Sequence, residues 1–423
     1  MRPEEKIRRR AHKLFRDGGE EVVKVSRIKR YVYDFAVFAG LALCAAALLL
    51  YPQESIGAAK NGLTLCFNVI IPSLFPFFVL SSMIVNLGFA RYFGRALEPV
   101  MRPLFNVGGA CSTAFVLGFI GGYPVGARTV IALYKNGTCS KTEAERMLSF
   151  CNNSGPAFIF GVVGAGVFAS SSVGLLLYLA HTVASVCVGL LFRNWGAGQE
   201  ATGGTRRSIA AAAQPFAPAF TDAVKSSFLS MLNICAFVLF FTVLISLLTL
   251  TGLIPALSAA FGRLFAPLGF DREWIERLLT GIIELSSGVA SLRGATASLY
   301  RSMATAAFML GWAGLSIHAQ VLSFIADSGL SVKTYFFGKL LHGLLSAVFA
   351  SILARIFVFR LPAGVYLAEQ VRAMASLSFG AALQISCLSA GLILIFFIIT
   401  ARRAKVRREA HKMQGGKKRS LKK

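Results

Sequence analysis

Ten apolar runs punctuate the chain, at roughly 34–51, 61–88, 109–134, 152–169, 172–193, 226–251, 275–300, 302–326, 333–359 and 376–400. A helix needs about 20 apolar residues to cross the hydrocarbon core, and several of these runs qualify. Two runs break the pattern midway. The third contains GFIGGYPVGARTV (118–130), and the seventh contains GIIELSSGVASLRG (281–294). Non-helical backbone survives at membrane depth only where protein or a water-filled cavity surrounds it, so both runs predict re-entrant hairpins. The fold class predicted is an all-α polytopic membrane protein with about eight transmembrane helices and two hairpins.

The order of elements recurs. FGRALEP (93–99) and FGRLFAP (261–267) each follow a long apolar run and precede a hairpin, while AFIFGVVGAG (157–166) and AFMLGWAGLS (307–316) each follow one. Repeat one spans about 61–193 and repeat two about 226–359, joined by a polar linker, 194–225. An odd number of crossings in the first repeat starts the second on the opposite face, which makes an inverted repeat. Such repeats place a substrate site at the midplane, between discontinuous helices. An extra helix, 376–400, follows, and the transmembrane domain as a whole covers 31–400.

Composition sharpens the class. The chain is 55% hydrophobic and 15% charged, which excludes an ordinary soluble protein. Well over half of its net charge of +25 sits in two tails, 1–30 and 401–423. Such clusters mark the cytoplasmic side and attract anionic lipid. Without interleaved aromatics or a recognisable module, they do not predict nucleic-acid binding. Both termini inside implies an even number of crossings, met by eight. The linker with Arg206 and Arg207 then falls inside, whereas Arg263, Arg355 and Arg360 fall outside, against the trend. The first run reads as a retained helix, not a cleaved signal. Eight scattered cysteines (Cys44, Cys66, Cys111, Cys139, Cys151, Cys187, Cys235, Cys387) form no C-x-x-C pair and read as buried apolar residues, not as disulfides or metal ligands. KTEAERMLSF (141–150) predicts a short amphipathic helix along the interface. No hydrolytic, nucleotide or redox motif appears, so no enzyme activity and no cofactor beyond a coupling H+ or Na+ is expected.

Four constellations could carry chemistry. At the first hairpin's tip, Gly121, Gly122, Tyr123, Pro124 and Gly126 permit a turn and close approach, and Arg128 adds a fork suited to carboxylate; a plain glycine turn with a snorkelling arginine is the alternative. Asn152, Asn153, Ser154 and Gly155 precede Pro156 and predict an unwound helix start whose polar groups need partners, or else an interfacial cap. Glu284, Ser286, Ser287 and Arg293 mark the second hairpin, either as an ion or substrate site or as a structural Glu284–Arg293 pair. Ser316 and His318, with Gln320, are polar at buried depth in the second broken helix. His181 and His342, on otherwise apolar helices, read as packing residues.

GFIGGYPVGA (118–127), KTEAER (141–146) and FCNNSGPAFIFGVVGAG (150–166), in this order and spacing, resemble the sporulation integral membrane protein family called YlbJ or SpoVV. That family belongs to a group with a nucleoside-recognition, or gate, domain, which includes concentrative nucleoside transporters. The resemblance covers about 60–400, more loosely in the second half. It implies a core like that of the nucleoside transporters and a multi-pass carrier of dipicolinic acid across the outer forespore membrane. It also implies binding roles for Asn152, Asn153, Ser154, Glu284, Ser286 and Ser316. GGYPVG stands where the nucleoside carriers have Gln-Thr-Glu, which favours a small anionic substrate over a nucleoside. A nucleoside or other solute carrier, and a membrane scaffold recruiting spore-assembly proteins through its tails, are the competing readings; an oligomer is compatible with each.

Overall fold

The computed structural model describes residues 31–88, 90–196, 214–295, 298–326 and 328–357. Both basic tails, the middle of the linker, Cys387 and the 376–400 run lie outside the described residues.

Every regular element among the described residues is helical. A peripheral helix, α1 (Tyr31–Leu50), turns most of its surface outward, and Tyr31, Phe35, Phe38 and Leu49 are exposed. In a bilayer such a surface faces lipid. Repeat one begins with α2 (Pro52–Leu65) and α3 (Ile71–Asn86), joined by a π-turn, Cys66–Ile70. Pro52 starts α2 where a missing N–H costs nothing, which carries the helix nine residues upstream of the apolar run at 61. Next come the amphipathic α4 (Ala90–Phe105), hairpin arms α5 (Ser112–Ile120) and α6 (Val125–Lys135), then α7 (Lys141–Phe150), a π-helix (Ala157–Val167) and α8 (Ser171–Leu191). Repeat two has the same order. It runs through α9 (Phe216–Leu250), α10 (Leu253–Phe265), hairpin arms α11 (Arg272–Ile283) and α12 (Leu285–Ala290), the broken pair α13 (Leu299–Trp312) and α14 (Gly314–Ile325), and α15 (Val332–Ile356).

Among the described residues five helices are long and apolar enough to cross a membrane: Tyr31–Leu50, Ser171–Asn194, Phe216–Leu250, Leu299–Ile325 and Val332–Ile356. Leu97–Phe105 and Gly109–Ile120 together form a further candidate bent by 101°, where the amphipathic α4 turns into the hairpin. The repeats interlock: α9 packs on α2 and α3, and α15 packs on α13, α8 and α7.

The amphipathic KTEAERMLSF does not lie along an interface. It forms α7, the first half of a broken helix, buried from Glu143 to Phe150. Its charges end backbone chains instead of facing water. Ser140 and Glu143 form a reciprocal capping box, and Glu143 Oε1 also accepts from Gly108 N–H at 2.7 Å. Arg146 donates to the carbonyls of Asn106 and Trp195, both at 2.8 Å, and Glu145 accepts from Ser331 N–H at 2.9 Å. An amphipathic pattern reports polarity on one face; here backbone ends of α4, α8 and α15 supply the polar surroundings.

The glycines of the first hairpin are set by close approach. A Cβ on Gly118 or on Gly126 would overlap the Cys151 carbonyl, so both arms press on the chain that follows α7. Gly122 has φ +73°, and a Cβ there would lie 2.9 Å from Gly155 N. Repeat two mirrors this contact: Gly314, φ +77°, sits against Leu285 N at the other hairpin tip. All seven described cysteines are free thiols.

Gly118→Ala and Gly126→Ala should each destabilise the protein by about 1–3 kcal/mol or more through overpacking against backbone. Gly57→Ala, where nothing lies within 4 Å of the added methyl, should not. Thermal unfolding in detergent reads the difference. Arg146→Met should also lower the melting temperature, since it removes two hydrogen bonds from a charged donor to the Asn106 and Trp195 carbonyls, at about 1.5–3 kcal/mol for each such bond.

Candidate functional site

The two hairpin tips and the two helix breaks converge on one cleft. Hairpin one brings Gly122 and Tyr123, the first break Ser154, Gly155 and Phe158, hairpin two Glu284, Leu285 and Ser286, and the second broken helix Ser316, Ile317 and Gln320. Ile70 and Leu74 beside the π-turn, with Ile234 and Val238 of α9, supply an apolar wall. The space open to the centre of a water-sized sphere is about 50 Å³. One water needs roughly 10–15 Å³ on that measure, so this conformation holds a few waters and is narrower than an aromatic solute requires.

Each tip is shaped locally. In hairpin one, α5 ends at Gly121 and Pro124 caps α6. The Tyr123 hydroxyl donates to the Leu310 carbonyl at 2.6 Å, crossing from one repeat to the other. In hairpin two, Glu284 leaves helical geometry (φ −139°, ψ 120°) and caps α12: its carboxylate accepts from Ser286 N–H at 3.0 Å and Ser287 N–H at 2.6 Å. Ala313, φ +80°, breaks α13 from α14.

Three buried polar atoms in the cleft walls lack a hydrogen-bond partner among the described residues: Ser154 Oγ, Ser316 Oγ and Gln320 Oε1. They come from both breaks. Buried polar groups are nearly always paired, so three orphans around one space make it the candidate site.

Of the residues predicted from sequence, Gly122, Tyr123, Ser154, Gly155, Glu284, Ser286 and Ser316 line the cleft. Gly121, Pro124 and Gly126 are buried in the hairpin behind it, and Ser287 is half-buried beside Glu284. Asn152 and Asn153 lie beneath the cleft wall. The Asn152 carbonyl accepts from Lys339 at 2.9 Å, and the Asn153 amide donates to the Phe150 carbonyl at 2.9 Å. His318 is enclosed by Trp312, Tyr335 and Phe336, its Nδ1 2.9 Å from the Tyr335 hydroxyl. The two arginines stand apart. Arg293 is exposed beyond α12, so the expected pair with Glu284 does not form. Arg128 is exposed and donates to Ser230 Oγ of α9 at 3.2 Å, one helical turn from the cleft-lining Ile234.

Beneath the first break lies a cluster that sequence reasoning passed over. Lys339 of α15, wholly buried, donates to Tyr123 Oη at 2.8 Å and to the Asn152 carbonyl, and meets His342 Nδ1 at 3.2 Å. His342 Nε2 lies 2.9 Å from the His181 carbonyl, and His181 Nε2 accepts from Ser154 N–H at 3.1 Å. The imidazoles of His181 and His342 pack against each other, tilted by 39°, with centroids 4.3 Å apart. Each is the eleventh residue of its helix, α8 and α15, and Ser185 and Ser346 follow four residues later in both. They pack on each other, as expected of histidines on apolar helices, and they hold the same position in the last helix of each repeat. The available signal was Lys339 itself, an ionisable residue about two turns inside an apolar helix with a histidine three residues on.

Residues 67–188 match the family model described as Gate: Nucleoside recognition, a span running from the π-turn through most of α8. A solved structure of a CNTnw variant is similar in fold, and a second state of the same variant is matched at a lower score. Its intermediate 2 state is 16% identical, with 75% of this chain and 91% of that chain covered and a TM-score of 0.50. Its intermediate 1 state is 15% identical over 75% and 90%, with a TM-score of 0.41. The sporulation integral membrane protein YlbJ of Bacillus subtilis (strain 168) is 32% identical over 324 residues, 73% of this chain and 79% of its own. With that identity across most of both lengths, on an all-helical fold with several membrane-length apolar helices, this chain belongs to the YlbJ family of multi-pass integral membrane proteins.

Proposed function

We propose that the protein is a secondary carrier for a small aromatic dicarboxylate, dipicolinate, which it moves from the mother cell across the outer forespore membrane with both termini cytoplasmic. The observation that carries a solute-binding role is the trio of orphaned polar atoms, Ser154 Oγ, Ser316 Oγ and Gln320 Oε1, set around a cleft between two hairpins and two helix breaks. The serine hydroxyls are donors suited to carboxylate, and the aromatic side chains of Tyr123 and Phe158 line the cleft. Arg128, one turn outside, supplies positive potential at the approach. The choice of a spore solute leans on the family relative's sporulation name. The narrowness of the cleft fits a carrier that opens to load and closes to carry.

A nucleoside is the second reading, favoured by Glu284, whose carboxylate at the cleft wall could accept from sugar hydroxyls. Binding to purified protein separates the two. Dipicolinate affinity without uridine affinity supports the first reading, and the reverse result overturns it.

Ser154→Ala and Ser316→Ala should each weaken solute binding about tenfold, near the worth of one hydrogen bond to a charged group. Because these atoms have no intramolecular partner, the melting temperature should not fall. Ser185→Ala, which removes a 2.7 Å bond to the Phe150 carbonyl, should show the opposite pattern. Glu284→Gln should leave dipicolinate binding undiminished, by removing a like charge, and abolish uridine binding if the nucleoside reading is right.

A further inference from the structure

Lys339 directs its ammonium at three acceptors and no carboxylate: the Asn152 carbonyl, Tyr123 Oη and His342 Nδ1. All three must accept. A carbonyl has no proton to give, and Tyr123 donates its own to Leu310. The His342 Nε2 faces the His181 carbonyl, which assigns the proton to Nε2 and leaves a lone pair on Nδ1. Three lone pairs converging on one point suit an ammonium with three N–H groups, and they equally suit a small bare cation. The point lies just past the last turn of α7, the negative end of that helix. Unwound carbonyls and half-helix C-termini of this kind hold coupling cations in discontinuous-helix carriers.

We propose that this is a monovalent-cation seat which the chain fills with its own Lys339, so that no sodium binds there, and that the Lys339 proton is the coupled ion. Losing that proton leaves two N–H groups and a lone pair facing three acceptors. One acceptor is then left without a donor, and the tie between α15 and the hairpin tip at Tyr123 loosens beside the cleft. The groups facing this centre are Tyr123 of hairpin one, His181 of α8, His342 and Tyr335 of α15, and His318 of α14 through Tyr335. From α7, Glu145 is engaged at the start of α15 by Ser331 N–H; from α13, Arg301 lies over the Trp274 ring. Glu284 stands across the cleft.

The coupling half rests on the carrier reading; the seat does not. Thermal unfolding of the purified full chain in sodium chloride and in choline chloride should give one melting temperature for wild type. Lys339→Ala should melt lower, and sodium or ammonium, but not choline, should restore it. Lys339→Met, which fills the seat with apolar atoms, should not respond. Sodium stabilising the wild type overturns the seat whether or not the variants fold, as does a folded Lys339→Ala indifferent to every small cation. In proteoliposomes a pH gradient without sodium should drive dipicolinate accumulation, and Lys339→Arg should bind solute yet lose accumulation. Sodium-driven, proton-indifferent uptake overturns the coupling. A sodium-insensitive wild type with cation rescue of Lys339→Ala, but no uptake of any solute, would sink the carrier reading and leave the seat standing.

Discussion

The structure depends on one constraint: residues 151–155 leave the helix deep inside an apolar protein, and their backbone groups still need partners. The solution draws on nearly every neighbouring element. His181 takes the Ser154 N–H, Lys339 serves the Asn152 carbonyl, and Ser185 and Asn153 both serve the Phe150 carbonyl. Gly118 and Gly126 lack side chains because the Cys151 carbonyl fills the space that side chains would take. The glycine-rich hairpin, the buried lysine and the histidine on α8 are thus one arrangement. Solving the break fixes the hairpin's height, and the hairpin's height fixes where Tyr123 meets the other repeat.

Repeat two meets the same problem with different chemistry. Its break is two consecutive left-handed residues, Ala313 and Gly314, and its hairpin turns on Glu284, whose carboxylate takes the two amides that the turn exposes. The result is an asymmetric cleft, with a carboxylate in one wall and an ammonium concealed behind the other. That asymmetry is why an anionic solute and a hydroxyl-rich solute both have a claim, and why Glu284 discriminates between them.

The architecture was legible because it is written in patterns of one kind. Apolar length predicted the long helices, interruption predicted both hairpins, and the repeated FGR and AF blocks predicted the doubled order. At the site, glycines, prolines and adjacent asparagines flagged unwound backbone, so Ser154, Glu284 and Ser316 could be named in advance. Partnership was not legible. Arg128 and Arg293 share a place in their motifs but neither enters the cleft, since periodicity does not say which way a side chain leaves a short arm. KTEAER read as a surface helix because its charges satisfy chain ends from distant parts of the sequence. Lys339 is hidden for a similar reason: two of its three partners, Tyr123 and Asn152, come from distant sequence.

The paired imidazoles carry a further implication. On a two-fold axis a residue can only meet its own counterpart, so His181 facing His342 marks where the axis of the doubled fold passes. At the eighth residue of the same two helices the counterparts differ, Tyr178 in one and Lys339 in the other. A symmetric pair of lysines would have set two positive charges against each other at the centre of the bundle. The charge stands in one half only, so at this level the two halves are not exchangeable.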